Sequence, residues 1–346
     1  MTESTFVSLS DILAARDRIA GTAVRTPLVP LDKDRLRDAG FPELAGRSAT
    51  IYLKDESKQP IGSFKLRGAY NKIAQLSPEE LKRGVITYSS GNHAQGVAYA
   101  ARALGSRAVI VMPYNAPVVK RKATEALGAE IVLVGPASTE RKLKAEELEA
   151  AHGYTMVPPY DDRAIIAGQA TCGVEILEQL PDADLVLSPV SGGGLLSGVA
   201  TGIKLSREAA GLTPPQVWGC EPELAGDAHE SFTTRTLVEW PAAKTTRTLA
   251  DGLRTQSLGV RNFEHILRFV DGIVTVSEAE IRTALRVILA ATDIVAEPSG
   301  AVTLAAALFH ADRLPSAQKI AVIVSGGNLD PALRAELQNE VATTPV

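Results

Sequence analysis

The chain has 346 residues, 45% of them hydrophobic, and a formal net charge of −4, which allows one large or two moderate domains with an ample core. Lysines and arginines are dispersed, so composition excludes a nucleic-acid or anionic-membrane surface, and no apolar run reaches the roughly 18 residues a spanning helix needs. Met1-Thr2-Glu3-Ser4 does not read as a secretory leader, and Cys172 and Cys220 are isolated, without metal or redox spacing, which suits a reduced cytoplasm. In chain order, strand-like runs fall at Ala49–Lys54, Gly84–Tyr88, Arg107–Met112, Glu130–Val134, Asp184–Val190, Gln216–Glu221, Gly272–Val276 and Lys319–Ser325. Helix signals lie between them, and the alternation predicts a mainly parallel α/β architecture. Ser77-Pro78-Glu79-Glu80 opens a helix with proline in its first turn. Ser277 and Glu280 form a capping box ahead of Ile281–Ala291. Val238–Thr248 is irregular and reads as a loop.

Three segments carry chemistry. Lys65 stands in Ser63-Phe64-Lys65-Leu66-Arg67-Gly68, after the turn-like Gln59-Pro60-Ile61-Gly62. Apolar neighbours disfavour its charged form, and a neutral amine is what attacks an aldehyde to give a Schiff base. Ser89-Ser90-Gly91-Asn92-His93 joins the second strand-like run to a helix that stops at Gly105. Ser191-Gly192-Gly193-Gly194 joins the fifth run to another helix. Free N–H groups and the positive helix end favour an anion at both junctions. The first offers hydroxyls and an amide to a carboxylate, and the second has no side chains to block a phosphate. Each taken alone is also compatible with a plain tight βα turn.

These segments, with Glu297-Pro298-Ser299-Gly300 and Val324-Ser325-Gly326-Gly327-Asn328, resemble in type and order the fold-type II pyridoxal-phosphate enzymes. Within them the likeness is to the serine/threonine dehydratase and serine racemase branch, from about Leu9 to Asp330. The resemblance implies a tryptophan synthase β-like fold of two parallel-sheet α/β domains with the cofactor in the cleft. Residues 1–84 and 161–346 would form the large domain and 85–160 a small mobile one. The short tail after Asn328 leaves no room for the effector-binding domain of some biosynthetic threonine dehydratases. By resemblance, Lys65 holds pyridoxal 5'-phosphate and acts as a base on Cα, and Phe64 packs near the ring. Gly192, Gly193, Gly194 and Leu195 offer N–H groups to the phosphate, Asn92 meets the ring hydroxyl, and Ser325 the ring nitrogen. Ser89, Gly91, Asn92 and His93 clasp the substrate carboxylate. The expected partner is a small amino acid, with no nucleic acid or membrane, and the family implies a homodimer in the cytoplasm.

Glu221 and Asp227 flank a turn with the Ala225 carbonyl between them, a donor set for a hard divalent cation such as magnesium, manganese or calcium, and equally an acidic surface turn. The family's cation site matches at these three residues. Ser90 stands where many threonine dehydratases carry alanine and where serine racemases and hydroxyaspartate dehydratases carry serine. Its hydroxyl is either a second proton donor opposite Lys65, which would permit inversion, or one more carboxylate ligand. The loop Ala250–Gly259 looks more like the 3-hydroxyaspartate dehydratases, and Arg254 or Arg141 is a candidate for a substrate β-carboxylate. The expected activity is dehydration and deamination of L-serine, L-threonine or threo-3-hydroxyaspartate to a 2-oxo acid and ammonia. An amino-acid racemase with side dehydratase activity is the alternative.

Overall fold

The computed structural model describes residues 6–46, 48–116, 118–135 and 138–343. Among them are ten strands: β1 Leu28–Pro30, β2 Thr50–Asp55, β3 Val85–Tyr88, β4 Ala108–Pro113, β5 Glu130–Val134, β6 Thr155–Met156, β7 Leu185–Pro189, β8 Gln216–Pro222, β9 Gly272–Val276 and β10 Lys319–Val324. All eight expected strands are present. β1 and β6 are additions, too short to leave a pattern. Six strands form one sheet in the order β1-β2-β10-β7-β8-β9, and four form a second in the order β5-β4-β3-β6. Every pairing is parallel except β1 with β2.

Strands buried on both faces read as continuous apolar runs. In the six-stranded sheet Leu185, Leu187, Val322 and Val324 face one core, packed with helices Glu278–Ala291 and Pro298–Phe309. Their neighbours Val186, Ala321 and Ile323 face the other, packed with helices Gly194–Ala209 and Val260–Phe269. The capping box at Ser277 and Glu280 is formed, as is one at Ser77 and Glu80. The irregular stretch 238–248 contains one short helix, Ala242–Thr245, and is otherwise loop. Helix Lys65–Ile73 lies in the seam between the sheets. Its Leu66, Ala69 and Ile73 pack with the four-stranded sheet, while its backbone at Gly68 touches helix Arg163–Gln179 so closely that a Cβ on Gly168 would lie 2.6 Å from Gly68 Cα.

Parallel pairing brings the carboxyl ends of neighbouring strands to one edge, where α/β sheets bind ligands. Lys65 follows β2, Ser325 follows β10, the glycine loop follows β7 and the Glu221–Asp227 turn follows β8. From the second sheet the Ser89–His93 turn follows β3.

Candidate active site

Lys65 is the first residue of its helix, and its Nζ donates to the Pro159 carbonyl at 2.8 Å. Removal from water lowers the amine to about 8. The ammonium lies 5.2 Å from the Phe64 ring centre. Phe64 N–H donates to the Ser325 carbonyl at 3.1 Å, and Ser63 bridges to Gly326, so the lysine turn is tied to the end of β10. Behind it, Arg67 is fully buried. It grips both oxygens of Glu56 at 2.8 Å and both of Glu175 at 2.7 and 2.8 Å, and Lys54 Nζ reaches Glu175 at 2.6 Å. Burial alone would raise Glu56, but Arg67 brings it down to about 2. The paired guanidinium thus holds the turn that presents Lys65 from its far side.

The helix expected to begin at Ala94 begins at Asn92, so Asn92 and His93 lie in its first turn. His93 is buried and donates Nε2–H to the Val157 carbonyl at 2.9 Å. Burial, and then Lys65, push it down to about 3, so it is neutral. Ser89 Oγ accepts from Gly91 N–H at 3.3 Å. Ser90, half-buried in the same turn, spends its hydroxyl on no described residue. The Asn92 amide is not free: it donates to Glu297 Oε1 at 2.6 Å and accepts from Asn328 Nδ2 at 2.7 Å. Burial, with Asp251, raises Glu297 to about 7.

The glycine loop has a cover the sequence did not disclose. The Tyr160 ring lies 2.4 Å from where a Cβ on Gly192 would sit, and Tyr160 also borders Gly194. Gly193 adopts φ +91° and caps the helix that Gly194 and buried Leu195 begin. Asn262 Nδ2 holds the Gly192 carbonyl at 2.6 Å. Ser325 is 4% exposed at the end of β10.

Residues 157–162 therefore touch most of the site. Val157 meets His93, Pro159 meets Lys65, Tyr160 meets the glycines, and Asp161 accepts from Val260 and Arg261 N–H at the start of helix Val260–Phe269. Asp162 caps helix Arg163–Gln179 and pairs with Lys72 at 2.8 Å. A carbonyl partner such as Pro159 has no side-chain signature.

The acidic turn is buried, not a surface feature. Glu221 and Ala225 are fully buried and Asp227 is 1% exposed. Glu221 accepts from Ala228 and His229 N–H at 3.2 and 2.8 Å, whereas neither carboxylate oxygen of Asp227 has a partner among the described residues. Burial raises both carboxyls, Asp227 to about 7, and the two repel each other. Two orphaned buried oxygens fit a cation as their missing partner. The turn's third carboxylate, Glu223, is exposed, and among the described residues no group of three or more His, Cys, Asp or Glu is placed to hold a metal.

Arg254 exposes part of its side chain but donates twice to the Thr248 carbonyl, at 2.6 and 3.0 Å, which commits it to its own loop. Arg141 is half-buried with its Nε unpartnered among the described residues, on helix Ser138–His152, which follows β5 at the same edge as the Ser89–His93 turn. Both cysteines are buried and free.

An amine of lowered basicity, two helix-start anion sites and a buried neutral hydroxyl converge on one edge, a combination that suits a phosphorylated aldehyde. Residues 19–326 match the family described as pyridoxal-phosphate dependent enzyme. The chain belongs to that family. It is 38% identical over 323 residues to the L-threo-3-hydroxyaspartate ammonia-lyase of Saccharomyces cerevisiae, covering 92% of this chain and 93% of that protein. It is 36% identical over 323 residues to the serine racemase of Schizosaccharomyces pombe, covering 92% and 94%. The crystal structure of a threonine deaminase from T.th. matches with a TM-score of 0.83 and 42% identity over 93% of this chain and 99% of that one. The fold is thus the fold-type II arrangement implied by the sequence motifs.

Proposed function

We propose that the protein is a pyridoxal-phosphate-dependent carbon–nitrogen lyase that converts a β-hydroxy amino acid to a 2-oxo acid and ammonia. The observation that carries the reading is the Lys65 amine, lowered to about 8 by burial and seated where β2, β10 and β7 end. Bound pyridoxal phosphate supplies an electron sink for the pair released when the Cα proton leaves. Lys65 would hold the cofactor aldehyde and, once the substrate amine displaces it there, its freed Nζ would take that proton. Gly192, Gly193, Gly194 and Leu195 offer backbone N–H groups to the phosphate, and Phe64 packs beside the ring. Ser325 meets the ring nitrogen with a neutral hydroxyl, which makes a milder sink than a carboxylate partner would and favours losing a β-substituent. Asn92 would have its remaining amide hydrogen to offer to the ring hydroxyl. Ser89, Gly91, Asn92 and neutral His93 receive the substrate carboxylate at a helix start.

Arg141 is the better candidate for a second substrate carboxylate, since Arg254 is committed to Thr248. That favours threo-3-hydroxyaspartate over L-serine and L-threonine. Glu221, the Ala225 carbonyl and Asp227 would hold a structural magnesium, manganese or calcium ion. A mobile 85–160 segment, a homodimer and a cytoplasmic setting belong to the same reading by family resemblance; among the described residues no helix is long and apolar enough to cross a membrane.

Lys65→Ala should abolish turnover and retention of the cofactor's visible absorbance while the far-UV circular dichroism stays unchanged. Near wild-type turnover in that variant sinks the reading. A panel of L-serine, L-threonine and both 3-hydroxyaspartate diastereomers, scored for 2-oxo acid and for residual enantiomer, assigns the substrate. The unspent Ser90 hydroxyl supports the second reading, a racemase with side dehydratase activity.

A further inference from the structure

We propose that Glu297 is the positioning residue for Asn92, fixing its amide and joining the two halves of the cleft through a single oriented chain of hydrogen bonds. The proposal rests on the cofactor reading above. The chain has only one direction. The Ile61 carbonyl can only accept, so the atom facing it at 3.0 Å is Asn328 Nδ2. The same nitrogen donates to Asn92 Oδ1 at 2.7 Å, which turns Asn92 Nδ2 to the other side, where it donates to Glu297 Oε1 at 2.6 Å. Reversing the Asn92 amide would set nitrogen against nitrogen and oxygen against a carboxylate. One Asn92 N–H is left for a ligand.

Glu297 is itself held firmly. It precedes Pro298 at the start of helix Pro298–Phe309, and its N–H donates to the Gly326 carbonyl at 3.0 Å. Its Oε1 lies 2.5 Å from where a Cβ on Gly326 would sit, next to Ser325. Asn92 opens a helix of the four-stranded half, while Glu297 and Asn328 belong to the six-stranded half, so the chain spans the cleft. The charged groups facing Glu297 are Asp251, in the turn Asp251–Leu253, and Lys120, on helix Val118–Ala126. These two pair with each other at 2.5 Å, so the lysine is shared. Burial first, and then Asp251, bring the change of charge of Glu297 near neutrality. As a carboxylate it gives Asn92 a charge-assisted acceptor; as an acid it binds the amide less strongly. The grip on Asn92 tightens as pH rises through 7.

Glu297→Gln keeps an acceptor for Asn92 but does not titrate, and Asp251→Asn removes the carboxylate that raises Glu297. Wild type and both variants, loaded with pyridoxal phosphate, would be followed from pH 5.5 to 9 by cofactor Kd and by kcat/KM. We expect a wild-type transition near pH 7 in both quantities, absent in Glu297→Gln and moved to lower pH in Asp251→Asn. Melting gives a second readout. A carboxyl raised on folding stabilises while protonated; its contribution is present below its ordinary 4.5 and is lost as pH rises through 7. Glu297→Gln should therefore melt above wild type by a margin that widens from pH 5 to pH 8. A transition of unchanged midpoint in Glu297→Gln overturns the proposal, as does a margin that does not grow with pH. Should Glu297→Gln not fold, an unmoved midpoint in Asp251→Asn overturns it instead. A wild type that binds no pyridoxal phosphate would overturn the cofactor reading, a distinguishable failure.

Discussion

At Asp227 two buried carboxylate oxygens have no partner among the described residues, and Glu221 places a second buried carboxyl beside them. Both groups are raised on folding, so their stabilising contribution exists while they are protonated and is lost as pH rises through about 7 for Asp227. A bound cation reverses that loss. At a cation concentration a hundredfold above Kd the gain is about 2.7 kcal/mol, so chelator should lower the melting temperature at pH 7.5. Asp227→Asn should melt higher than wild type in chelator and lose the response to cation. A chelator-insensitive wild type would leave the turn without a metal. At Ser90 the two roles separate by stereochemistry: Ser90→Ala should suppress Cα inversion by about 10²–10⁴-fold, the usual cost of a lost acid or base, with a much smaller fall in elimination from L-substrates. Equal falls in both activities would make Ser90 a carboxylate ligand only.

Among the elements, helix Lys65–Ile73 and helix Arg163–Gln179 touch backbone to backbone. A Cβ on Gly168 would lie 2.6 Å from Gly68 Cα and 2.7 Å from the Arg67 carbonyl. Neither obstacle is a flexible side chain, so Gly168→Ala must push the helices apart. Overpacking of this kind costs about 1–3 kcal/mol, and here it displaces the turn that carries Lys65. We expect a lower melting temperature together with weaker cofactor binding; unchanged melting would show that the crossing has slack. The elements themselves were largely legible. Apolar runs of strand length bounded by turn residues marked all eight longer strands. β1 escaped because Pro27 and Pro30 bracket two residues on an antiparallel edge, where proline is tolerated. β6 has two residues and no period to read. At the site, strand–loop–helix junctions were legible because each is local. Pro159 meets Lys65 across 94 residues and Glu297 meets Asn92 across 205. Such partners are set by sheet order, which a single sequence does not display.

Across the whole molecule, the two sheets are joined by helix Lys65–Ile73, by apolar contacts of Ile61 and Ile165, and by polar ties, among them Lys120 with Asp251 and Asn92 with Glu297. A ligand held by residues from both halves should close them. An unreactive dicarboxylic acid bound to the loaded enzyme should slow hydrogen exchange in the turn 89–91 and in the turn 114–116 that follows β4, leaving β7, β8 and β10 as they were. Uniform protection across both sheets would argue against relative motion of the halves.

The doubly gripped Arg67 also sets a schedule for biosynthesis. Glu56 is available to it as soon as the first seventy or so residues leave the ribosome, but Glu175 lies 108 residues further on, and Lys54 awaits the same glutamate across 121. At about 5–20 residues per second, that wait lasts on the order of 5–20 s. Until then Arg67 has only Glu56 as its carboxylate partner. The lysine-bearing turn stays unfinished while the entire four-stranded sheet is being made, and that sheet is therefore free to form first.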